Sequence, residues 1–401
     1  MSAEMPVATV TLPRPPAKRS GVPAFLVMEV MTAAAQAEAR GENVIHMEVG
    51  QPGTPAPATA LAAVSKAFAG DKMGYTAPLG MPALRERIAR HYQEWYGLKI
   101  DAEQVVVTTG SSAGFVVSFL ALFDVGAKVA LPSPGYPCYR HILTALGQQP
   151  MILRTDAAAR WMPTAAQLDE AAAQGAEGLL IASPANPTGT MIEPQRLDEI
   201  VAACRRNRMW LLSDEIYHGL TYGDEPQVTA LSVAPEAIVI NSFSKYFSMT
   251  GWRIGWLVVP KALVRPIERL AQNLYISPPG VSQVAALAAF DAREELDANK
   301  RVYRQNRDHL LRELPKAGLS NIVPADGAFY LYVDVSNITD DSGALARDML
   351  AETGVAATSG VDFDEERGHR YLRFSYAGTH ADITEATRRL QAWPRLKQRA
   401  G

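Results

Sequence analysis

Short runs of aliphatic and β-branched residues alternate along this chain with alanine-rich stretches in which apolar positions recur every three to four residues, a pattern that predicts strands separated by amphipathic helices. Strand-like runs are QVVVTTG, KVALP, GLLIAS, MWLLSD, AIVINSFS and RIGWLVV, all between residues 104 and 259. Several are apolar on successive residues, as expected of strands covered on both sheet faces, and their spacing predicts an α/β organisation. Before them, apolar spacing and alanine content predict helices over 25–39 and 59–68, with an apolar segment ending at Gly50 and the loop GQPGTPAP in between. A Gly/Pro-punctuated loop then presents the Tyr75 hydroxyl and leads to a helix over 82–96 that opens on a proline.

The pattern changes towards the C-terminus. Residues 285–314 predict one or two charged helices, GAFYLYVDV and RYLRFSYA are strand-like, and 340–352 and 383–393 are helical. The organisation expected is therefore a flexible arm over 1–20, a large domain over 50–295, and a smaller domain assembled from 21–49 and 296–401.

Composition narrows the function classes. The chain has 401 residues, enough for two to three domains, with 39 basic residues against 42 acidic ones. A formal charge of -3 offers no general attraction for nucleic acid. Two cysteines, Cys138 and Cys204, exclude a disulfide framework and lack the clustering of a zinc site, so no metal is expected. Neither a secretory leader nor the roughly 20 apolar residues needed to cross a bilayer is evident, so a cytoplasmic protein without membrane contact is expected.

Two segments carry chemistry. In TTGSSAGFVVSFLALF, residues 108–123, a strand meets a small-residue turn and then a helix. Gly110 permits the turn, Ser111 and Ser112 offer hydroxyls, and the amides of the helix start suit a phosphate. The glycine spacing matches neither a dinucleotide fingerprint nor the phosphate loop of nucleotide hydrolases. In INSFSKYFSMTGWRIGWLVV, residues 240–259, Lys245 follows Ser242 and Ser244 and precedes Arg253. An amine, hydroxyls and a guanidinium together suit a phosphorylated aldehyde, and apolar neighbours favour the neutral, nucleophilic amine.

With GYTAPLGMPALR, GSSAG, PGYPCY, SPANPTG, DEIY, SFSKYFSMTGWRIG and YLRFSY in this order, the chain resembles the fold-type I, pyridoxal-phosphate-dependent aminotransferases of class I/II, the aspartate-aminotransferase-like group. The resemblance covers almost everything after the N-terminal arm. It implies a large domain with a mostly parallel central sheet, a smaller α+β domain, pyridoxal 5'-phosphate as cofactor, and a homodimer with shared active sites. It further implies that Lys245 forms the aldimine with the cofactor and moves the substrate α-proton, that Asp214 pairs with the ring nitrogen, and that Tyr217 and Asn186 hydrogen-bond the ring hydroxyl. Tyr136 matches the position that stacks on the ring. Phosphate contacts are implied for the backbone at Ser111, Ser112 and Ala113, for Ser242 and Arg253, and for Tyr75 of the neighbouring subunit, with Ser244 less firmly matched. Arg373 is implied to grip the substrate α-carboxylate, helped by Asn186 and by the space left at Gly50.

The implied activity moves an amino group from an L-amino acid to a 2-oxo acid by a ping-pong route. A carbon–sulfur β-lyase uses the same apparatus and is the alternative. A non-enzymatic ligand-binding regulator is disfavoured, because the first 50 residues hold no basic DNA-binding module. Substrate choice is open: Phe25, Tyr75, Tyr136, Tyr275, Phe329 and Tyr330 are candidates for a pocket lining and equally for the core, while His218 is expected to make a local polar contact.

Overall fold

The computed structural model describes residues 13–70, 73–223 and 226–397. Of the expected arm, residues 1–12 lie outside the described residues, and the rest includes a single 3-10 turn at Lys18–Ser20.

The chain opens with α1 (Leu26–Ala39), β1 (Ile45–His46), α2 (Ala58–Phe68) and α3 (Pro82–Tyr96). Pro82 stands in the first turn of α3, and Gly97 ends it in the left-handed conformation at φ 67°, where a side chain would be strained. The α/β region follows as β2 (Val105–Thr108), α4 (Gly110–Leu122), β3 (Lys128–Ser133), α5 (Pro137–Leu146), β4 (Gln149–Arg154), α6 (Ala165–Ala173), β5 (Ala176–Ala182), α7 (Pro194–Arg206), β6 (Trp210–Asp214), β7 (Ile238–Ser242), β8 (Gly255–Val258) and α8 (Lys261–Leu274).

These strands form one seven-stranded sheet in the order β2-β8-β7-β6-β5-β3-β4. Four of its pairings are parallel, and only β8 runs antiparallel to its neighbours β2 and β7. Both faces are covered, which explains the unbroken apolar runs: Val105, Val107, Leu179, Ile181, Leu211 and Val239 join one core, while Val106, Leu180, Leu212, Ile238 and Ile240 join the other.

The charged stretch after α8 is two helices, α9 (Gly280–Ala289) and α10 (Arg293–Glu313), separated by a three-residue break. Then come β9 (Asn321–Ile322), β10 (Tyr330–Asp334), α11 (Ser342–Thr353), β11 (Val355–Ala356), β12 (Thr358–Ser359), β13 (Tyr371–Ser375) and α12 (His380–Ala392). An antiparallel sheet takes the order β12-β13-β10-β9, and β1 pairs in parallel with β11, tying the N-terminal segment to the C-terminal one. Strand β4 has no counterpart among the runs picked out from the sequence. It is an edge strand with a partly exposed pattern, and Pro150 within it lacks the N–H that an interior strand would need.

Candidate active site

A cleft opens at the carboxyl ends of the parallel strands. Asp214 ends β6 and Ala182 ends β5, while Thr108 of β2 and Ser242 of β7 both pair with Gly255 and so finish at the same level. Side chains placed just beyond strand ends converge on one side of the sheet, the usual position of a ligand in such folds. The cleft is lined by Gly50, Ser111, Ser112, Tyr136, Asn186, Asp214, Tyr217, Lys245, Arg253 and Arg373, and also by Phe25, Val27, Met28, Tyr139, Ser244 and Tyr330.

One wall is a cradle for an anion. Helix α4 begins at Gly110, and the first N–H groups of a helix have no carbonyl one turn earlier to bond to. Gly110 has φ +74°, and a Cβ there would sit 2.6 Å from an Arg253 Nη atom, so only glycine lets the guanidinium close against the helix start. Arg253 itself is held in the left-handed region at φ 49°, with Nη1 donating to the Thr250 carbonyl at 3.0 Å. A doubly charged phosphate matches this pairing of free amides and a planar cation.

The opposite wall carries the titrating groups. Asp214 is buried; its Oδ1 accepts the Ile216 N–H at 3.1 Å and its Oδ2 accepts the Tyr139 hydroxyl. Burial raises the Asp214 carboxyl to about 6 against the downward pull of the Tyr139 and Ile216 hydrogen bonds and of Lys245. A cationic ring nitrogen in the cleft would relieve that penalty. Lys245 follows β7 on an irregular turn and donates to the Gly50 carbonyl, with Nζ 5.7 Å from the centroid of the Tyr217 ring. Burial, then the Arg373 and Arg253 charges, lower its ammonium to about 8, with Asp214 opposing. The residues present therefore fit pyridoxal 5'-phosphate: a phosphate cradle, a carboxylate for the ring nitrogen and an easily neutralised amine.

Arg373 lies in the middle of β13, and its side chain is buried. Nη1 donates to Asn186 Oδ1 at 3.0 Å and Nη2 to the Glu48 carbonyl, while Nε has no partner among the described residues. The guanidinium lies over the Tyr330 ring at 4.4 Å and over the Phe363 ring at 4.7 Å. Because arginine only donates, the Asn186 oxygen faces it and the Asn186 amide nitrogen is left as a donor. With no salt bridge among the described residues, this buried guanidinium is poised for a carboxylate.

Three expected contacts lie outside the cleft lining. Ser242 turns its hydroxyl to Ser244 Oγ at 2.8 Å and to the Ile254 carbonyl at 3.0 Å, so that Ser244 is the serine facing the cleft. Ala113 lies further into α4. Tyr75 is 84% exposed and lines a separate groove together with Tyr275, Pro278 and Pro279. Of the six aromatic candidates, Phe25, Tyr136 and Tyr330 line the cleft, and Phe329 is wholly buried beside it. His218 makes a local polar contact, with Nδ1 2.7 Å from the Tyr96 hydroxyl. No group of three or more His, Cys, Asp or Glu among the described residues is placed to hold a metal ion.

Tyr139, Val27 and Met28 carry no sequence-based assignment. Tyr139 ends PGYPCY, three positions after Tyr136, a spacing that puts both on one face of a helix. The placement of α1 depends on a contact across 335 positions, the Val27 N–H donating to Asp362 Oδ2 at 3.4 Å, which sequence spacing does not reveal.

The family model for aminotransferase class I and II matches residues 42–390. The chain is 46% identical over 380 residues to a valine–pyruvate aminotransferase of Mycobacterium tuberculosis, covering 94% of this chain and 98% of that one. A crystal structure of an aminotransferase from the same organism superposes with TM-score 0.93 at 45% identity, over 95% of this chain and 99% of the other. Aspartate aminotransferase of Thermus thermophilus, solved with maleate, superposes with TM-score 0.89 at 29% identity over 94% and 99%. The chain belongs to aminotransferase class I and II, an aspartate-aminotransferase-like enzyme that transfers amino groups between amino acids and 2-oxo acids.

Proposed function

We propose that the cleft holds pyridoxal 5'-phosphate and carries two half-reactions in ping-pong order, with an aliphatic L-amino acid as donor and a small 2-oxo acid such as pyruvate as acceptor. The observation that carries this is the convergence of Lys245, Asp214, Arg253 and Arg373 on one cleft at the strand ends. Pyridoxal 5'-phosphate, when bound, supplies the carbon that takes up the amino group and a ring that spreads the electrons of the broken C–H bond.

The chain's own residues do the rest. Ser111, Ser112, Ser244 and Arg253 anchor the phosphate, and Asp214 keeps the ring nitrogen cationic. Tyr136 covers a ring face, while Tyr217 and the Asn186 amide donate to the ring hydroxyl oxygen. Arg373 would take the substrate α-carboxylate as a two-pronged pair, and Lys245, as a neutral amine, would lift the substrate α-proton and hold it for return. Gly50 leaves room for the Tyr330 hydroxyl: a Cβ at position 50 would stand 1.8 Å from it.

Donor choice follows from what remains of the wall. Phe25, Val27, Met28 and Val49 are apolar, and the cations that line the cleft among the described residues, Lys245, Arg253 and Arg373, are each committed, leaving none of these for a second carboxylate. The valine–pyruvate relative agrees with that selectivity. The exposed Tyr75 completes the phosphate site of a neighbouring copy, making the working unit a homodimer. Residues 50–295 form the cofactor-binding domain and 21–49 with 296–401 the smaller one. The setting is the cytoplasm; among the described residues no helix is long and apolar enough to cross a membrane.

The test is an absorption-monitored half-reaction of the loaded enzyme with aliphatic, aromatic, acidic and sulfur-containing amino acids, with product analysis. Fast conversion by valine-like donors, each giving its 2-oxo acid, is expected. Ammonia release without an acceptor would replace transfer by elimination, and preference for aspartate or glutamate would overturn the donor class.

Arg373→Lys keeps the charge but loses the fork and the stack on Tyr330. It is expected to lower kcat/KM by about 100-fold, mainly through KM, since the α-carboxylate is bound in ground and transition states alike. Steady-state kinetics with valine and pyruvate checks this, and an unchanged KM would remove Arg373 from the carboxylate site.

A further inference from the structure

Tyr330, on β10, is buried at the junction of the cofactor-facing and carboxylate-facing groups. Its hydroxyl lies 2.7 Å from the Tyr217 hydroxyl, its ring carries the Arg373 guanidinium at 4.4 Å, and its oxygen fills the space that a side chain at position 50 would claim. The two phenol rings meet edge to face, with centroids 5.7 Å apart.

We propose that Tyr330 is a positioning residue: its hydroxyl donates to the Tyr217 oxygen and so commits the single Tyr217 proton to the ring hydroxyl oxygen of the cofactor. The proposal rests on the reading that Tyr217 faces that oxygen. A phenol carries one proton and can accept at the same time, so a Tyr217 that spends its proton on Tyr330 has none for the cofactor. Either hydroxyl can donate in the pair as it stands. Arg373 decides the direction, because a cation over the Tyr330 ring draws electron density from its oxygen and strengthens its O–H as a donor. Chained hydrogen bonds polarise one another, so Tyr217 becomes the stronger donor as it accepts from Tyr330. A ring oxygen that receives this bond is less basic and releases its neighbouring proton at lower pH.

Tyr330→Phe removes only the hydroxyl and leaves the ring under Arg373. The test compares the native enzyme, Tyr330→Phe, Tyr217→Phe and the double variant, each loaded with pyridoxal 5'-phosphate, by the pH midpoint of the visible-absorbance change and by steady-state kinetics. For Tyr330→Phe the midpoint is expected to rise by about one pH unit, the size of one buried hydrogen bond, and kcat to fall by about 5- to 10-fold, with KM for the donor within about twofold of native. Because Tyr330 acts through Tyr217, adding Tyr330→Phe to Tyr217→Phe is expected to move the midpoint no further.

If Tyr217→Phe shifts the midpoint and Tyr330→Phe does not, the relay is overturned while Tyr217 keeps its place at the cofactor. If Tyr330→Phe shifts the midpoint by as much in the Tyr217→Phe background, Tyr330 acts by another route and the proposal fails. If Tyr217→Phe itself leaves the midpoint unchanged, the placement of Tyr217 at the cofactor fails and the relay falls with it.

Discussion

Lys245→Ala is expected to reduce turnover by about 10^4-fold or more, because in the proposed function one side chain supplies both the covalent attachment and the proton transfer. The structure also sets the pH at which that amine works. Burial and the Arg373 and Arg253 charges bring it to about 8, so it is protonated below that pH and neutral above it. Only the neutral amine attacks an aldehyde. The rate at which cofactor-free protein captures pyridoxal 5'-phosphate should therefore climb about tenfold per pH unit up to about 8 and level off, where an unshifted lysine would level off only near about 10.4. Stopped-flow absorbance on mixing between pH 6 and 10 measures this directly. A rate still climbing at the top of that range, a flat profile, or a Lys245→Ala protein retaining about a hundredth of native turnover would each contradict the assignment.

Much of the architecture is legible in the sequence because burial on both sheet faces imposes unbroken apolar runs. QVVVTTG, MWLLSD and AIVINSFS carry β2, β6 and β7, the strands whose ends level the cleft. The helix over 82–96 is legible to the residue, since Pro82 and Gly97 punctuate both ends. β4 escapes because an edge strand is half-exposed and tolerates Pro150, so it has neither the run nor the alternation that marks its neighbours.

The cleft divides in a similar way. Lys245, Asp214, Asn186, Tyr217 and Arg253 stand next to strand ends or tight turns, where local motif fixes position, Arg373 is carried by the middle of β13, and the fold brings all six to one lining. Tertiary contacts decide the remainder. Phe25, Val27 and Met28 line the cleft from the start of α1, which is tied to distant parts of the chain by the Val27 N–H bond to Asp362 and by the packing of Val27 against Trp161, Val323, Tyr332 and Phe363. Among the aromatics, residue type alone does not tell a wall from a core: Phe329 stands in the turn before β10 and Tyr330 opens the strand, both are buried, and of the two Tyr330 lines the cleft.

Asp214→Asn is expected to lower turnover by about 10^3-fold and, at the same time, to stabilise the cofactor-free protein at pH 8. The two effects share one cause. Burial raises the Asp214 carboxyl from the ordinary 3.8 to about 6, so between those values the folded protein binds more protons than the unfolded chain, and stability falls as pH rises through that window. Above pH 6 the folded state carries the whole net penalty of the buried carboxylate, about 3 kcal/mol after the Tyr139 and Ile216 hydrogen bonds and the Lys245 charge have offset part of the desolvation. Asparagine keeps the shape and the acceptor for the Ile216 N–H but removes that charge, so Tm of the cofactor-free variant at pH 8 should exceed native and the difference should vanish near pH 4. With pyridoxal 5'-phosphate bound, the ring nitrogen supplies the missing cation, and the order should reverse because the variant can no longer hold that nitrogen protonated. Melting curves at pH 4 and 8, with and without cofactor, check this alongside turnover. A merely structural carboxylate would lose stability at pH 8 in both states on conversion to asparagine, and near-native turnover in the variant would separate Asp214 from the ring nitrogen altogether.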